Sequence, residues 1–275
     1  GGLSVKREDV RVCILRVGGT NCDSETKRAF DDLGVKAEIV HLNEIVRKRN
    51  LLDYDALVIP GGFSHGDYVR AGAILAKEIM VKLGESLREF ARGKRPVLGI
   101  CNGFQVLVET GLLPGFEGIS AYPEAALATN IPIGYCCAWV YIKHENSGRC
   151  VFTRKVPKDS ALRIPVAHAE GRFTFSKEKE KEYLKRLYDN DQLVFRYCDE
   201  TGRYADGEYP ISPNGAFHDI AGICDPTGTI FGLMPHPERA YYGWQLPDWT
   251  RRKTVSGYGD GRLIFESMVE YLKEK

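Results

Sequence analysis

Val97-Leu98-Gly99-Ile100-Cys101-Asn102-Gly103-Phe104-Gln105 decides the fold, because an apolar strand runs through G-x-C-x-G directly into a helix. This is the cysteine form of the nucleophile elbow, in which a sharp strand-to-helix turn holds one side chain out at the carboxyl end of a sheet. Flanking glycines let the chain turn and keep neighbouring side chains away. The start of the following helix favours negative charge, which draws a thiol toward its thiolate. Ligand sites of open α/β sheets lie at that same edge.

Upstream of the elbow, strand-like and helix-like segments alternate. Residues 11–17, 36–42, 55–60 and 96–100 read as strands, the third stopped by Pro60-Gly61-Gly62. Between them fall a helix with Ala29, Phe30 and Leu33 on its apolar face, which Asp23 or Ser24 can cap, and a long helix over 69–91. Ile79, Leu83 and Leu87 give that long helix an apolar stripe at i, i+4 and i+8. Arg47-Lys48-Arg49 reads as a solvated helix end. Such alternation predicts a parallel sheet covered on both faces.

The downstream half is richer in strands, at 138–143, 162–167, 192–197, 220–224 and 229–234, with a hairpin signal at Asp225-Pro226-Thr227-Gly228. Antiparallel strands added to the edge of the sheet fit this pattern. Residues 177–187 form a strongly charged, solvated helix, and Ile264, Met268 and Leu272 mark a C-terminal one. The loop 199–218 is long and polar enough to suggest a functional or interface role. The expected architecture is a three-layer, flavodoxin-like open sheet, mostly parallel with antiparallel edge strands. The Gly1-Gly2 start, without Met, is expected to be a tag remnant, so 1–9 is set aside as an N-terminal extension and 10–275 is taken as one domain.

A net charge of +1 gives no field that would gather nucleic acid or a polyanionic substrate. No apolar stretch approaches the ~20 residues that span a bilayer. The first residues lack the apolar core of a signal peptide, so a cytoplasmic location is expected. Eight dispersed cysteines contain no C-x-x-C pair, which argues against a zinc site. Cys13, Cys136, Cys137 and Cys224 lie in apolar runs and are expected to be buried in a reducing compartment.

Two further motifs join Cys101. At Met234-Pro235-His236-Pro237-Glu238-Arg239 a strand ends and His236 and Glu238 follow, two apart. An extended backbone there would point both side chains the same way, letting Glu238 orient the imidazole while its other nitrogen faces Cys101. At Ile59-Pro60-Gly61-Gly62-Phe63, two glycines ending a strand can bring bare amides to a ligand. Gly61 and Gly62 are assigned to half of an oxyanion hole, with the Asn102 amide as the other half.

Together these pieces resemble the class I, triad-type glutamine amidotransferases. Longer strings resemble the branch that serves phosphoribosylformylglycinamidine synthases: 60–68 (P-G-G-F-S-H-G-D-Y), 99–105 (G-I-C-N-G-F-Q), 165–171 (P-V-A-H-A-E-G), 234–240 (M-P-H-P-E-R-A), 19–23 (G-T-N-C-D) and 219–223 (D-I-A-G-I). The resemblance implies Cys101 as nucleophile on a glutamine amide, His236 as general acid/base and Glu238 as its orienting partner. It further implies that Gln105, His168, Ala169 and Glu170 hold the α-groups of glutamine. His65 stands where the family has Tyr, and the segments 199–218 and 241–261 look longer than in compact members.

No G-x-x-x-x-G-K-[ST] loop is present. The chain is therefore expected to carry no cofactor and no metal, with ATP and Mg²⁺ on a partner. The resemblance implies that partner to be the large synthetase converting formylglycinamide ribonucleotide to its amidine, with a small third subunit. The rival readings are a glutaminase subunit serving another acceptor, a stand-alone cysteine hydrolase of the same fold, and a degenerate docking module.

Overall fold

A computed structural model describes residues 9–17, 23–61, 71–248 and 257–274. Four strands and the helices between them build the first half: β1 (Arg11–Arg16), α1 (Asp23–Asp32), β2 (Lys36–His41), α2 (Leu42–Lys48), β3 (Ala56–Ile59), α3 (Ala71–Arg92), β4 (Val97–Ile100) and α4 (Asn102–Glu109). The second half adds β5 (Ala126–Ala128), β6 (Cys136–His144), β7 (Ala161–His168), β8 (Arg172–Thr174), α5 (Glu180–Asp189), β9 (Leu193–Cys198), β10 (Ile220–Cys224), β11 (Ile230–Leu233) and α6 (Arg262–Lys273).

Among the described residues nine strands form one sheet in the order β2-β1-β3-β4-β11-β10-β9-β6-β7. From β2 to β11 neighbours run parallel, and from β11 to β7 they run antiparallel. Every residue of β3 and β4 is buried, as strands covered on both faces must be. β7 instead alternates half-buried and buried residues along its length, the period-2 signature of a strand with one sheltered face. Phe30 of α1 meets Phe265 of α6 edge-on at 5.3 Å, while α3 packs with α2 and α4, which supplies the helical layers. One continuous apolar cluster reaches from Val10 to Leu272 and includes Ile79, Leu83, Leu87, Ile264 and Met268.

Three local expectations change, and one small sheet was not foreseen. Asp23 does not cap α1 from outside; it is the first helical residue, and its carboxylate accepts from Arg16 Nε at 2.7 Å. The short strands β5 and β8 pair into a separate two-stranded sheet, too brief to carry a periodic signal. The charged helix α5 starts at Glu180, after a turn over 177–179. Cys13 and Cys224 are buried as expected, but Cys136 is only half-buried and Cys137 is exposed. The reason is register: β9 pairs with β6 only from Tyr141 onward, so the start of β6 overruns its neighbour.

The hairpin expected at Asp225 joins β10 to β11. Asp225 Oδ1 accepts from the amides of Thr229 and Ile230 at 3.1 and 3.0 Å. Gly228 takes φ +76° against the Arg149 carbonyl, where a side chain would collide.

Candidate active site

β4 and β11 are parallel neighbours with Ile100 opposite Leu233, so their carboxyl ends emerge side by side. That register brings Cys101 and His236 together across 135 residues of sequence. The Cys101 amide donates to Leu233 O at 2.8 Å, and α4 begins at the next residue. Cys101 itself takes φ 56° and ψ −109°, a conformation that costs a non-glycine residue ~1–3 kcal/mol.

The strain sits on the cysteine rather than on the flanking glycines, neither of which has positive φ. Gly99 and Gly103 serve close backbone approach instead. A Cβ on Gly99 would lie 2.6 Å from Gly103 O, and one on Gly103 would lie 1.8 Å from Ile59 O. α4 is thereby pressed onto β3 and β4, with its positive end beside the thiol.

His236 Nδ1 donates to Glu238 Oε1 at 2.6 Å, and both side chains are buried. The pairing does not come from an extended strand. His236 is extended (φ −103°, ψ 92°), but Pro237–Ala240 forms a tight 3₁₀ turn that folds Glu238 back onto the ring. Behind the dyad, Arg239 Nε reaches Glu25 Oε2 at 3.6 Å. Burial and then the neighbouring Glu238 push the Glu25 carboxyl up, against the pull of Arg239.

Gly61 lies between nucleophile and imidazole. A Cβ there would be 2.7 Å from Cys101 Cβ and 3.1 Å from His236 Cε1. Asn102 is the first residue of α4, where helix amides point out past the N-terminus. Gly62 and His65 lie outside the described residues.

The far edge of the sheet folds over this end. Among the described residues β7 pairs with β6 alone, and its other edge meets the catalytic residues. Pro165 O accepts from the His236 amide at 2.8 Å. Ala167 O, two residues on and so on the same edge, lies 3.5 Å from Cys101 Sγ. Proline suits an edge position because it has no N–H to leave unpaired.

Of the four residues assigned to the α-groups of glutamine, two meet: Gln105 Nε2 donates to Glu170 Oε2 at 3.4 Å. Ala169 O accepts from the Asn130 amide at 2.9 Å. The His168 ring is buried and enclosed by Asn130 Nδ2 at 3.1 Å, Asn214 Nδ2 at 3.5 Å and the Gly171 backbone, so its side chain supports the strand end. Burial, and then the charge of His236, lower its pKa to about 4, which keeps it neutral.

Asn130 and Asn214 carried no signal in the sequence, and Ala167 appeared only inside the string 165–171, with no role of its own. The long loop 199–218 contributes here through Asn214, which also donates to Gly171 O and Tyr197 Oη at 2.9 and 3.2 Å. In the segment 241–261, Tyr241 is buried and donates to Asp32 Oδ2 at 2.6 Å, Trp244 is exposed and stacks on Tyr242, and Trp249 lies outside the described residues. Among the described residues no group of three or more His, Cys, Asp or Glu side chains could hold a metal ion, and no helix is long and apolar enough to cross a membrane.

A thiol at a strained elbow, beside a buried imidazole–carboxylate pair at the carboxyl end of an open sheet, defines a cysteine amidotransferase-type site. The profile of the CobB/CobQ-like glutamine amidotransferase domain matches residues 9–272, and the chain belongs to this family. Within it, the chain falls among the PurQ subunits of phosphoribosylformylglycinamidine synthase. It is 50% identical to the PurQ subunit of Archaeoglobus fulgidus, over 98% of this chain and 99% of that one. It is 41% identical to that of Methanothrix thermoacetophila, over 97% and 99%. A solved structure of PurLQS from Thermotoga maritima superposes with a TM-score of 0.69 at 32% identity, covering 96% of this chain and 99% of that chain.

Proposed function

We propose that the chain is the glutaminase subunit of a phosphoribosylformylglycinamidine synthase, acting in the cytoplasm. It hydrolyses glutamine to glutamate and ammonia through a thioester on Cys101 and passes the ammonia to an ATP-dependent synthetase. That synthetase converts formylglycinamide ribonucleotide to formylglycinamidine ribonucleotide. The observation that carries the reading is the buried 2.6 Å pair of His236 and Glu238 beside Cys101, in a chain half identical to a PurQ subunit.

His236 takes the proton of the Cys101 thiol, and the thiolate attacks the side-chain amide carbon of glutamine as the carbonyl electron pair moves onto oxygen. Backbone amides at Gly61, Gly62 and Asn102 stabilise that oxyanion. The tetrahedral intermediate collapses as the C–N bond breaks, and His236 delivers its proton to the departing nitrogen, releasing ammonia. Water then attacks the thioester carbon and gives its proton to His236. The C–S bond breaks, glutamate leaves and His236 returns its proton to the sulfur. Glu238 holds the ring in the tautomer with Nδ1 protonated and stabilises the imidazolium formed twice per cycle. Gln105 and Glu170 orient the α-groups of glutamine, with the backbone of 168–170 alongside.

ATP and Mg²⁺ belong to the synthetase, which activates the acceptor oxygen, and a small third subunit completes the assembly. For the partner subunits alone, the solved Thermotoga maritima PurLQS supports this assembly. The test is ammonia release from glutamine by the purified chain, alone and with the synthetase, formylglycinamide ribonucleotide and MgATP. Stimulation with glutamate and amidine formed together supports the reading. Glutaminase activity indifferent to the synthetase assigns the chain to another acceptor or to free-standing hydrolysis.

A further inference from the structure

Between Glu124 and Lys143 the chain carries no charged residue, although charged residues make up 27% of the whole. Within that stretch Ile131, Ile133 and Tyr135 are 58%, 87% and 66% exposed. A single exposed isoleucine is ordinary, but three large apolar side chains in five residues form a patch of the kind that marks an interaction site.

The segment is firmly built. The buried Asn130 donates to His168 O at 2.9 Å and Gly134 O at 3.1 Å, and accepts from the Gly171 amide at 2.9 Å. The Ile131 amide donates to Asn214 O at 2.9 Å. The polar base is thus tied to the strand end whose Ala167 O faces Cys101, while the apolar side chains stand outward. Asn130 holds the carbonyl of His168, the residue after Ala167, whose own carbonyl lies 3.5 Å from Cys101 Sγ, which places the patch beside the thiol site.

We propose that Ile131, Ile133 and Tyr135 are the docking patch for the ammonia-accepting synthetase, and that this partner closes over the mouth of the thiol site. The inference rests on the function proposed above. Ammonia released into water is protonated and loses its nucleophilicity, so the acceptor protein must cover the point of release. An uncharged, apolar rim suits both that seal and the passage of neutral ammonia. Apolar and aromatic side chains at the centre of a patch are what protein interfaces bury. Because Asn130 joins the patch to the 167–171 strand end, docking also bears on the position of Ala167 O against the thiol.

The experiment titrates the synthetase, with its small subunit, against wild type, Ile133→Asp and Ile131→Asp/Ile133→Asp, reading glutamine-dependent amidine formation. The half-saturating synthetase concentration is expected to rise by tenfold or more, the scale of losing a buried interface anchor at ~1.4 kcal/mol or above. Glutaminase activity of each chain alone is expected to stay unchanged. Ile133 is so exposed that its substitution alone separates docking from folding. Variants that titrate like a working wild type overturn the patch. So does a wild-type chain that self-associates through these residues, since a second copy would then be the occupant. A wild-type chain that the synthetase never stimulates overturns the functional reading, and the patch with it.

Discussion

The His236 amide donates to the Pro165 carbonyl at 2.8 Å, tying the loop that carries the imidazole to the open edge of β7. Two residues along the same edge, Ala167 O stands 3.5 Å from Cys101 Sγ. One strand edge therefore sets the position of both base and nucleophile. With no N–H of its own, Pro165 offers only the carbonyl, so no competing pairing forms there.

Cys101→Ser removes the thiolate and leaves the packing nearly unchanged. Glutamine-dependent amidination by the complex is expected to vanish while ammonia-dependent amidination persists. Assays with glutamine and with ammonium chloride in parallel decide it. Loss of both activities would count against two sites joined by ammonia transfer.

Glu238→Gln keeps the shape of the side chain but removes the charge that stabilises the imidazolium. We expect kcat to fall by ~10⁴, the size of the loss when the orienting acid of a triad is neutralised. The thermal midpoint is expected to move by no more than about 5 °C. A variant whose inactivity follows its unfolding would assign Glu238 to the fold alone.

Two glycines at the elbow separate activity from stability. Gly61→Ala pushes a methyl against Cys101 Cβ and Ile100 O, at 2.7 and 2.8 Å, and is expected to cost mainly activity. Gly103→Ala drives its methyl to 1.8 Å from the Ile59 carbonyl and forces α4 off β3, costing ~1–3 kcal/mol or more. Urea unfolding beside glutaminase rates checks both. The opposite ranking would remove Gly61 from the site.

Acid stability carries the imprint of His168. Its pKa of about 4 in the folded chain lies below the usual 6.5, so it binds its proton more readily when unfolded. Its contribution to stability is intact above pH 6.5. It is lost as pH falls toward 4, at ~1.4 kcal/mol per pH unit. His218, lowered in the same direction by burial, adds to the wild-type slope. Urea midpoints between pH 7.5 and 4.5 should fall less steeply for His168→Gln than for wild type. Parallel slopes would show that the buried imidazole plays no part.

Local pattern determined much of this protein. The β4–α4 elbow was legible because an apolar run, G-x-C-x-G and a helical face occupy one short window, and the two buried strands and the stripe of α3 follow from the same periodicities. H-P-E named the dyad, although the pair closes through a 3₁₀ turn rather than an extended strand. The tertiary structure decided the rest. That β7 curls its open edge over the elbow depends on how far strands β10, β9, β6 and β7 extend the sheet, which no window of sequence encodes. Asn130 and Asn214 meet His168 from 38 and 46 residues away, so nothing local marks them. The family resemblance of the string 165–171 named His168, but not the direction of its side chain. Alternation along β7 turned its ring inward, and burial then held it neutral as a support.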